Sequence, residues 1–430
     1  MKVIASEEFK KTELEKFLNR GKSDLSSIVS TVRQIIDNVK ENGDAALVEY
    51  TKKFDKVSLT SSTLRVSETE IKQAYEKLDQ KQIGALQAAA DNIAIFHKKQ
   101  IRAKWTMQTT EGVTLGQVMR PLSCVGVYAP GGKAAYPSSV LMSAIPAKVA
   151  GVERVIVCSP PRQGQDISPA LLIAADIAGV DEVYRVGGAQ AIAAMAYGTT
   201  SMEAVEKIVG PGNVYVTAAK LEVSRDVAID VPAGPSEVLV IADETANPAY
   251  VAADLLAQAE HDPQAWAILI TCSENIASEV KKQIDIQLKS LSRTQIIESS
   301  LQKGLIITTK NITEAIELSN LIAPEHLQIQ TKAPDEVFNK IRNAGAVFLG
   351  RYSPVSFGDY SSGLNHVLPT AGYAKIYSGL SSLDFVKTMN FLECTKEGFN
   401  NLKDTAVIIA EMEGFDAHAK AVSIREEKEK

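Results

Sequence analysis

The chain is poor in the residues that would staple a small secreted fold: its 430 residues hold four cysteines, Cys124, Cys158, Cys272 and Cys394, far apart and without a CxxC pair. That spacing suits neither a disulfide framework nor a thiolate zinc site, and it implies a reducing cytoplasm. Cys158 lies in the apolar run VIVCSP, which reads as a buried structural thiol rather than a nucleophile. No apolar run approaches the ~20 residues that span a bilayer. The opening MKVIASEEFKKTELEKF is charged every few residues where a signal peptide needs an unbroken apolar stretch, so no export is expected. Basic residues are not in excess: 46 Lys and Arg against 52 Asp and Glu leave a net charge of −6, interspersed without the basic stripe that follows a phosphate backbone. Neither nucleic acid nor a membrane is expected as a partner. No repeat of fixed period occurs, and the only biased tract is the charged end REEKEK.

What is present is an ordinary globular balance, 45% apolar and 23% charged, in a chain longer than one hydrophobic core usually serves. Two core-forming domains are expected. From about Leu25 to Trp105 apolar residues recur at helical spacing (SSIVSTVRQIIDNVK, IGALQAAADNIAIFHKKQI), which predicts a helical lead-in. From Cys124 short β-rich runs alternate with small-residue helices: CVGVYAP then PSSVLMSAIPAKVAG, VERVIVCSPP then ISPALLIAADIAG, DEVYRVGG then AQAIAAMAYG. That alternation predicts βαβ units and a parallel sheet. A second series, SEVLVIAD, AWAILIT, GLIITT, HLQIQ and AVFLG, predicts a second α/β unit, joined to the first through the tight connection IDVPAGPSE. After about Gly379 the pattern reads as helical again (SSLDFVKTMN, NLKDTAVIIAEMEG, DAHAKAVSIREEKEK), a tail too short to hold its own core.

Histidine is scarce, and four of the five sit in polar settings. In AADLLAQAEHDP, Gln258 and His261 are three apart on the end of a helix expected to stop before Pro263, a workable pair of metal ligands or an ordinary polar helix end. In NLIAPEHLQIQ, Glu325 and His326 occupy a loop-to-strand junction, and an adjacent acid and imidazole suit acid/base work. Alone the tripeptide PEH fits a surface turn better. SFGDYSSGLNHVLPT gathers Asp359, Tyr360, Asn365 and His366 into what reads as a compact binding loop. Glu413 and His418 lie in the amphipathic tail, where a solvated helix face is the usual meaning. Gln, His and Asp ligands without thiolates suit zinc with an open position for substrate. His97, near a basic helix end, reads as structural.

Three segments, APGGKAAYPSS, VGGAQAIAA and VGPGNVYVTAAK with Asn213 and Lys220, have the strand, glycine turn and helix that hold a pyrophosphate. None is the G-x-G-x-x-G fingerprint, so they support a nucleotide without naming one.

In order, VGVYAPGGKAAYPSSVLM, VGGAQAIAAMAYGT, VGPGNVYVTAAK, AGPSEVLVIAD, DLLAQAEHDP, APEHLQI, GDYSSGLNHVLPT and EGFDAHAKAV resemble the successive signature blocks of histidinol dehydrogenase, from about residue 120 to residue 423. The resemblance implies two Rossmann-like parallel-sheet domains, a helical N-terminal lead-in and a C-terminal tail that swaps in a homodimer. It divides the chain into an N-terminal helical arm, 1–25, a first α/β domain with the zinc and catalytic residues, 26–127 plus 237–380, an NAD-side domain, 128–236, and a dimerisation tail, 381–430. It implies a cytoplasmic enzyme that oxidises L-histidinol to L-histidine in two NAD-dependent steps through a bound aldehyde, the last reactions of histidine biosynthesis. It assigns zinc to Gln258, His261, Asp359 and His418, and acid/base roles to Glu325 and His326. NAD would contact Tyr128, Gln190 and Asn213; substrate would contact Ser236, His326, Glu413 and the metal ligands. On this reading His326, neutral, takes the alcohol proton, Glu325 activates water on the aldehyde, and no cysteine is needed. His366 either supports the site from behind or is a plain loop histidine. A dehydrogenase of another small polar alcohol, or a non-catalytic protein retaining the fold, would carry much of the same pattern.

Overall fold

The computed structural model describes residues 1–20, 26–131, 135–162, 166–231 and 234–426. Gly132, Lys133 and Ala134 of the first glycine turn, Pro232 and Ala233 of the connection IDVPAGPSE, residues 21–25 of the arm and the last four of the tail lie outside the described residues. Strands are β1 (Lys2–Ala5), β2 (Trp105–Thr110), β3 (Val113–Pro121), β4 (Cys124–Tyr128), β5 (Arg154–Cys158), β6 (Glu182–Tyr184), β7 (Lys207–Val209), β8 (Ala228–Ile229), β9 (Glu237–Ala242), β10 (Trp266–Thr271), β11 (Leu305–Thr308), β12 (His326–Gln330), β13 (Ala346–Leu349) and β14 (Val386–Cys394). The chain divides into two units, Met1–Gln100 with Leu122–Phe385, and Ile101–Pro121 with Val386–Lys430.

The larger unit carries two parallel sheets, one of six strands in the order β1-β11-β10-β9-β12-β13 and one of five in the order β6-β5-β4-β7-β8. The α/β architecture read from the alternating pattern is what forms. β9 (EVLVIA) and β12 (HLQIQ) are buried along their whole length, because cores close both faces of their sheet. One gathers Val251, Leu255, Val280 and Ile297 from three helices; the other gathers Phe9, Phe17, Leu318 and Ile322. Around the five-stranded sheet the cores are rich in alanine from Gly188–Tyr197 and Pro137–Ala150, small side chains that let these helices lie close to the strands.

Four features depart from the sequence reading. The arm opens as a strand: β1 pairs with β11 from Lys2↔Leu305 to Ala5↔Thr308, since KVIA is β-branched and finds a free sheet edge. The helices of 26–98, expected with the zinc-bearing half, instead close the five-stranded sheet, where Val32, Ile36 and Leu47 share a core with Tyr128 and Ile156, and Ala90 and Ile93 one with Val125 and Val127. The stretch SSLDFVKTMN, read as helical, is a 3-10 turn and then β14, which pairs antiparallel with β3 over nine residues, Val386↔Pro121 to Cys394↔Val113. Long-range pairing overrode a weak helical period there. The loop SFGDYSSGLNHVLPT contains a short helix, Val355–Tyr360.

The smaller unit is the antiparallel sheet β14-β3-β2 with the helices Lys396–Met412 and Asp416–Ser423. Its helices bury little: Ile408, Ile409, Met412, Phe415 and Ile424 are exposed. Among the described residues no helix is long and apolar enough to cross a membrane.

Candidate active site

In the five-stranded sheet the chain runs outward from β4 through β5 to β6, then returns to the other side of β4 with β7 and β8. The crevice beyond the carboxyl ends of β4 and β7 is therefore a topological switch point, the place where open α/β sheets bind nucleotides. The sequence-assigned NAD residues are all attached to it: Tyr128 ends β4, Gln190 lies in the first turn of the helix after β6, and Asn213 caps the helix after β7. The buried Tyr128 hydroxyl accepts the Gly188 N–H at 3.1 Å, and burial pushes its pKa up to about 12, so it remains a neutral phenol. Asn213 Oδ1 accepts the amides of Tyr215 and Val216 at 3.0 and 3.1 Å, leaving its Nδ2 as the free donor. Gln190 is buried with Oε1 unpartnered. Gly210, at φ 112°, packs so closely on the end of β4 that a side chain would strike the Tyr128 carbonyl. Lys220 turns inward, to the Gly210 carbonyl at 3.0 Å and to the Asp230 carboxylate.

The six-stranded sheet uses its other end. Glu237 begins β9 and His326 begins β12, paired neighbours whose amino ends form the floor of the site. The Glu237 carbonyl can only accept, so His326 Nδ1, 3.0 Å away, carries the hydrogen and Nε2 is the basic atom. Glu325 Oε2 accepts the Glu237 N–H at 2.7 Å and lies 3.5 Å from His326 Nδ1. One strand residue thus holds both members of the expected acid/base pair through its backbone. Beneath it the Glu237 carboxylate takes Arg20 Nε at 2.6 Å and Nη2 at 2.7 Å, and accepts the Ala371 N–H at 2.8 Å. Neither partner was singled out from sequence; a lone glutamate opening an all-buried strand was the available signal, because such a charge must be paired.

Asp359, on the short helix Val355–Tyr360, stands 3.6 Å from His326 Nε2. Burial works to raise its pKa, but His326, with His366 and His261 farther off, outweighs this and holds the carboxyl below its ordinary value. Burial likewise works to lower the His326 pKa, and the Glu325 and Asp359 carboxylates reverse it, holding the imidazole well above the histidine range. The neutral His326 expected from sequence is not what these neighbours favour. His366 Nδ1 donates to the Asp359 carbonyl at 3.0 Å and its Nε2 is 3.4 Å from Ser139 Oγ, so it braces the helix that presents Asp359.

The helix Pro248–Ala259 ends earlier than expected: Gln258 is in its last turn and buried, while His261 follows in the turn and is exposed, its N–H bonded to the Gln258 carbonyl at 3.2 Å. Ser236, half-buried, immediately precedes β9. Glu413 and His418 belong to the smaller unit and are exposed there, His418 tilted against Phe415 at 5.3 Å between ring centroids. His97 is structural, fully buried with Nδ1 2.8 Å from Gln100 Oε1. Burial drives the Cys158 pKa far up, which leaves no thiolate for nucleophilic attack. Among the described residues no three His, Cys, Asp or Glu side chains converge as metal ligands.

Residues 18–426 match the family model of histidinol dehydrogenase. The chain belongs to the histidinol dehydrogenase family. It is 52% identical over 411 residues to the histidinol dehydrogenase of Caldanaerobacter subterraneus, with 95% of each chain covered. To that of Methanothermobacter thermautotrophicus it is 50% identical over 415 residues, covering 96% of this chain and 97% of the relative. The crystal structure of histidinol dehydrogenase from Elizabethkingia anophelis is similar throughout, with a TM-score of 0.93 at 44% identity over 99% of this chain and 97% of that one. Family membership makes the chain an oxidoreductase of histidine biosynthesis.

Proposed function

We propose that this chain oxidises L-histidinol to L-histidine in two NAD-dependent steps through an aldehyde that stays bound. The observation that carries the reading is the Glu325–His326 pair, fixed on the Glu237 backbone with His326 Nε2 buried and without a hydrogen-bond partner beside Asp359. A base whose free nitrogen is buried and unpartnered suits proton removal from an alcohol.

The donors fit a divalent cation. Asp359 lies within electrostatic reach of His261, Gln258 offers a buried carboxamide whose Nε2 lacks a partner, and nitrogen and oxygen donors without thiolate suit zinc. Gln258, His261 and Asp359 would hold it with His418 of the partner subunit, and Glu413 of the partner subunit would meet the substrate. The exposed apolar side chains of the tail helices agree with a homodimer. NAD would contact Tyr128, Gln190 and Asn213, and Ser236 would reach the substrate from the start of β9. When bound, the two cofactors would supply a template for the substrate's nitrogen atoms and an acceptor for the two hydrides.

His326 Nε2 takes the alcohol proton as the first oxidation proceeds, and Glu325 takes a proton from the water that adds to the aldehyde before the second. A cation on Asp359 would oppose the protonation of His326 that the bare carboxylate favours, and so return the imidazole to the neutral form this step requires.

Incubating the protein with L-histidinol and NAD is expected to yield two NADH per histidinol, to stop with a chelator and to recover with zinc. One NADH with release of the aldehyde would overturn the double oxidation, and turnover of another alcohol with none of histidinol would overturn the substrate. Sharing of sites is checked by mixing two inactive variants, Gln258→Ala and His418→Ala, after dissociation: recovery of activity in the mixed dimer is expected, and its failure with both chains folded and dimeric would oppose the shared site.

A further inference from the structure

The turn GPGN, residues 210–213, joins β7 to the helix Val214–Val223 and brings Asn213 to the nucleotide crevice. Its first residue, Gly210, has φ 112°, a backbone conformation that L side chains rarely adopt. A turn of this kind keeps its shape where the surroundings hold it. Pro211 has no N–H, so the turn has one backbone donor fewer with which to hold itself.

What holds it is a buried ion pair. Lys220 and Asp230 are bonded to each other, their side chains 8% and 4% exposed. The Lys220 ammonium also donates to the Gly210 carbonyl at 3.0 Å, and the second Asp230 oxygen accepts the Gly210 N–H at 2.7 Å. Both polar groups of one glycine are thus gripped at once, from the helix that follows it and from the end of β8. Apolar side chains of similar volume often serve stability as well as a buried ion pair does. They cannot supply a donor and an acceptor to the two sides of Gly210. Nor is Lys220 placed as a phosphate ligand, since its charge is buried and already neutralised by Asp230.

We propose that Lys220 and Asp230 are positioning residues for NAD: together they fix the peptide planes on both sides of Gly210, and so set where the turn 210–213 presents Asn213 to the dinucleotide. This rests on the reading of Asn213 as an NAD contact. Asn at position 230 has one oxygen in place of two, so it cannot accept from Gly210 and Lys220 together, and one of the two grips is lost.

The test uses the full-length protein and reads NADH affinity by fluorescence titration, together with KM, kcat and the thermal midpoint. Asp230→Asn, and Lys220→Met combined with Asp230→Asn, are expected to weaken NADH binding and raise the KM for NAD by about 3–30-fold, the reach of a residue that acts through another. The kcat at saturating NAD and the KM for histidinol should stay near the parent values. The double variant strands no buried charge, so its thermal midpoint should also stay near that of the parent. Asn213→Ser, which keeps a helix cap without an amide donor, separates the two levels of the argument. If it binds NADH like the parent, the reading of the turn as an NAD contact fails. If it loses affinity while Asp230→Asn and the double variant keep theirs, the positioning role is overturned, as it also is if kcat falls and the KM for NAD does not. Parent or tighter NADH binding by Asp230→Asn, with loss only in the double variant, would make Lys220 a direct phosphate ligand and overturn the proposal too. Should the double variant not fold, Asp230→Asn alone decides.

Discussion

Glu325→Gln should slow oxidation of the aldehyde by about 10²–10⁴-fold, the usual worth of a positioned general base, and slow the alcohol step far less. The variant should fold, because the glutamine carbonyl can still accept the Glu237 N–H that Glu325 Oε2 takes at 2.7 Å. What it loses is a basic oxygen for the attacking water. The two half-reactions separate in single-turnover measurements started from histidinol and from the aldehyde, each followed by NADH absorbance. His326→Asn is expected to give the mirror image, since on the proposed mechanism its Nε2 takes the alcohol proton while Nδ1 is committed to the Glu237 carbonyl at 3.0 Å. Equal losses in both half-reactions for Glu325→Gln would show that it serves only to hold His326, and the division of labour would be wrong.

The parts of this site legible in the sequence are those set by local chemistry. Glu325 and His326 sit at the loop-to-strand junction expected from PEHLQIQ, and Asn213 caps the helix that a glycine turn announces. The two parallel sheets followed from runs such as EVLVIA and RVIVC, which are apolar on both faces because both faces are covered. What local pattern cannot carry is pairing at long range. β14 pairs with β3 across more than 260 residues, so a segment with an indifferent helical period became a strand. The partner of Glu237 lies 217 residues earlier in the chain, and nothing near Arg20 marks it as a buried cation. The side of the sheet was equally hidden: Glu325 and His326, the proposed acid/base pair, stand at the amino ends of β9 and β12, whereas open α/β sheets place ligands at the carboxyl ends.

Arg20→Met is expected to be the most destabilising single replacement near the site, by about 3–5 kcal/mol, because it leaves a buried carboxylate without its cation. Both side chains of the pair are only 1% exposed, and Arg20 holds Glu237 through two nitrogens while also donating to the Ile322 carbonyl at 3.2 Å. Burial pushes the Glu237 pKa up and Arg20 is the first of the groups opposing it. Without Arg20 the folded-state pKa rises further above the unfolded one. A raised carboxylate pKa costs stability as the pH climbs through the unfolded and then the folded value. The loss in Arg20→Met should therefore be largest at neutral and alkaline pH and shrink as the pH falls toward the ordinary carboxylate range, which urea unfolding at several pH values would measure. Adding Glu237→Gln to Arg20→Met removes the stranded charge and should recover much of the loss, a non-additivity expected of direct partners. Activity should fall more than stability suggests, since the backbone of Glu237 carries both Glu325 and His326. A pH-independent loss, or no recovery in the double variant, would mean that Arg20 acts through packing on Phe17, whose ring it covers at 4.3 Å, rather than through Glu237.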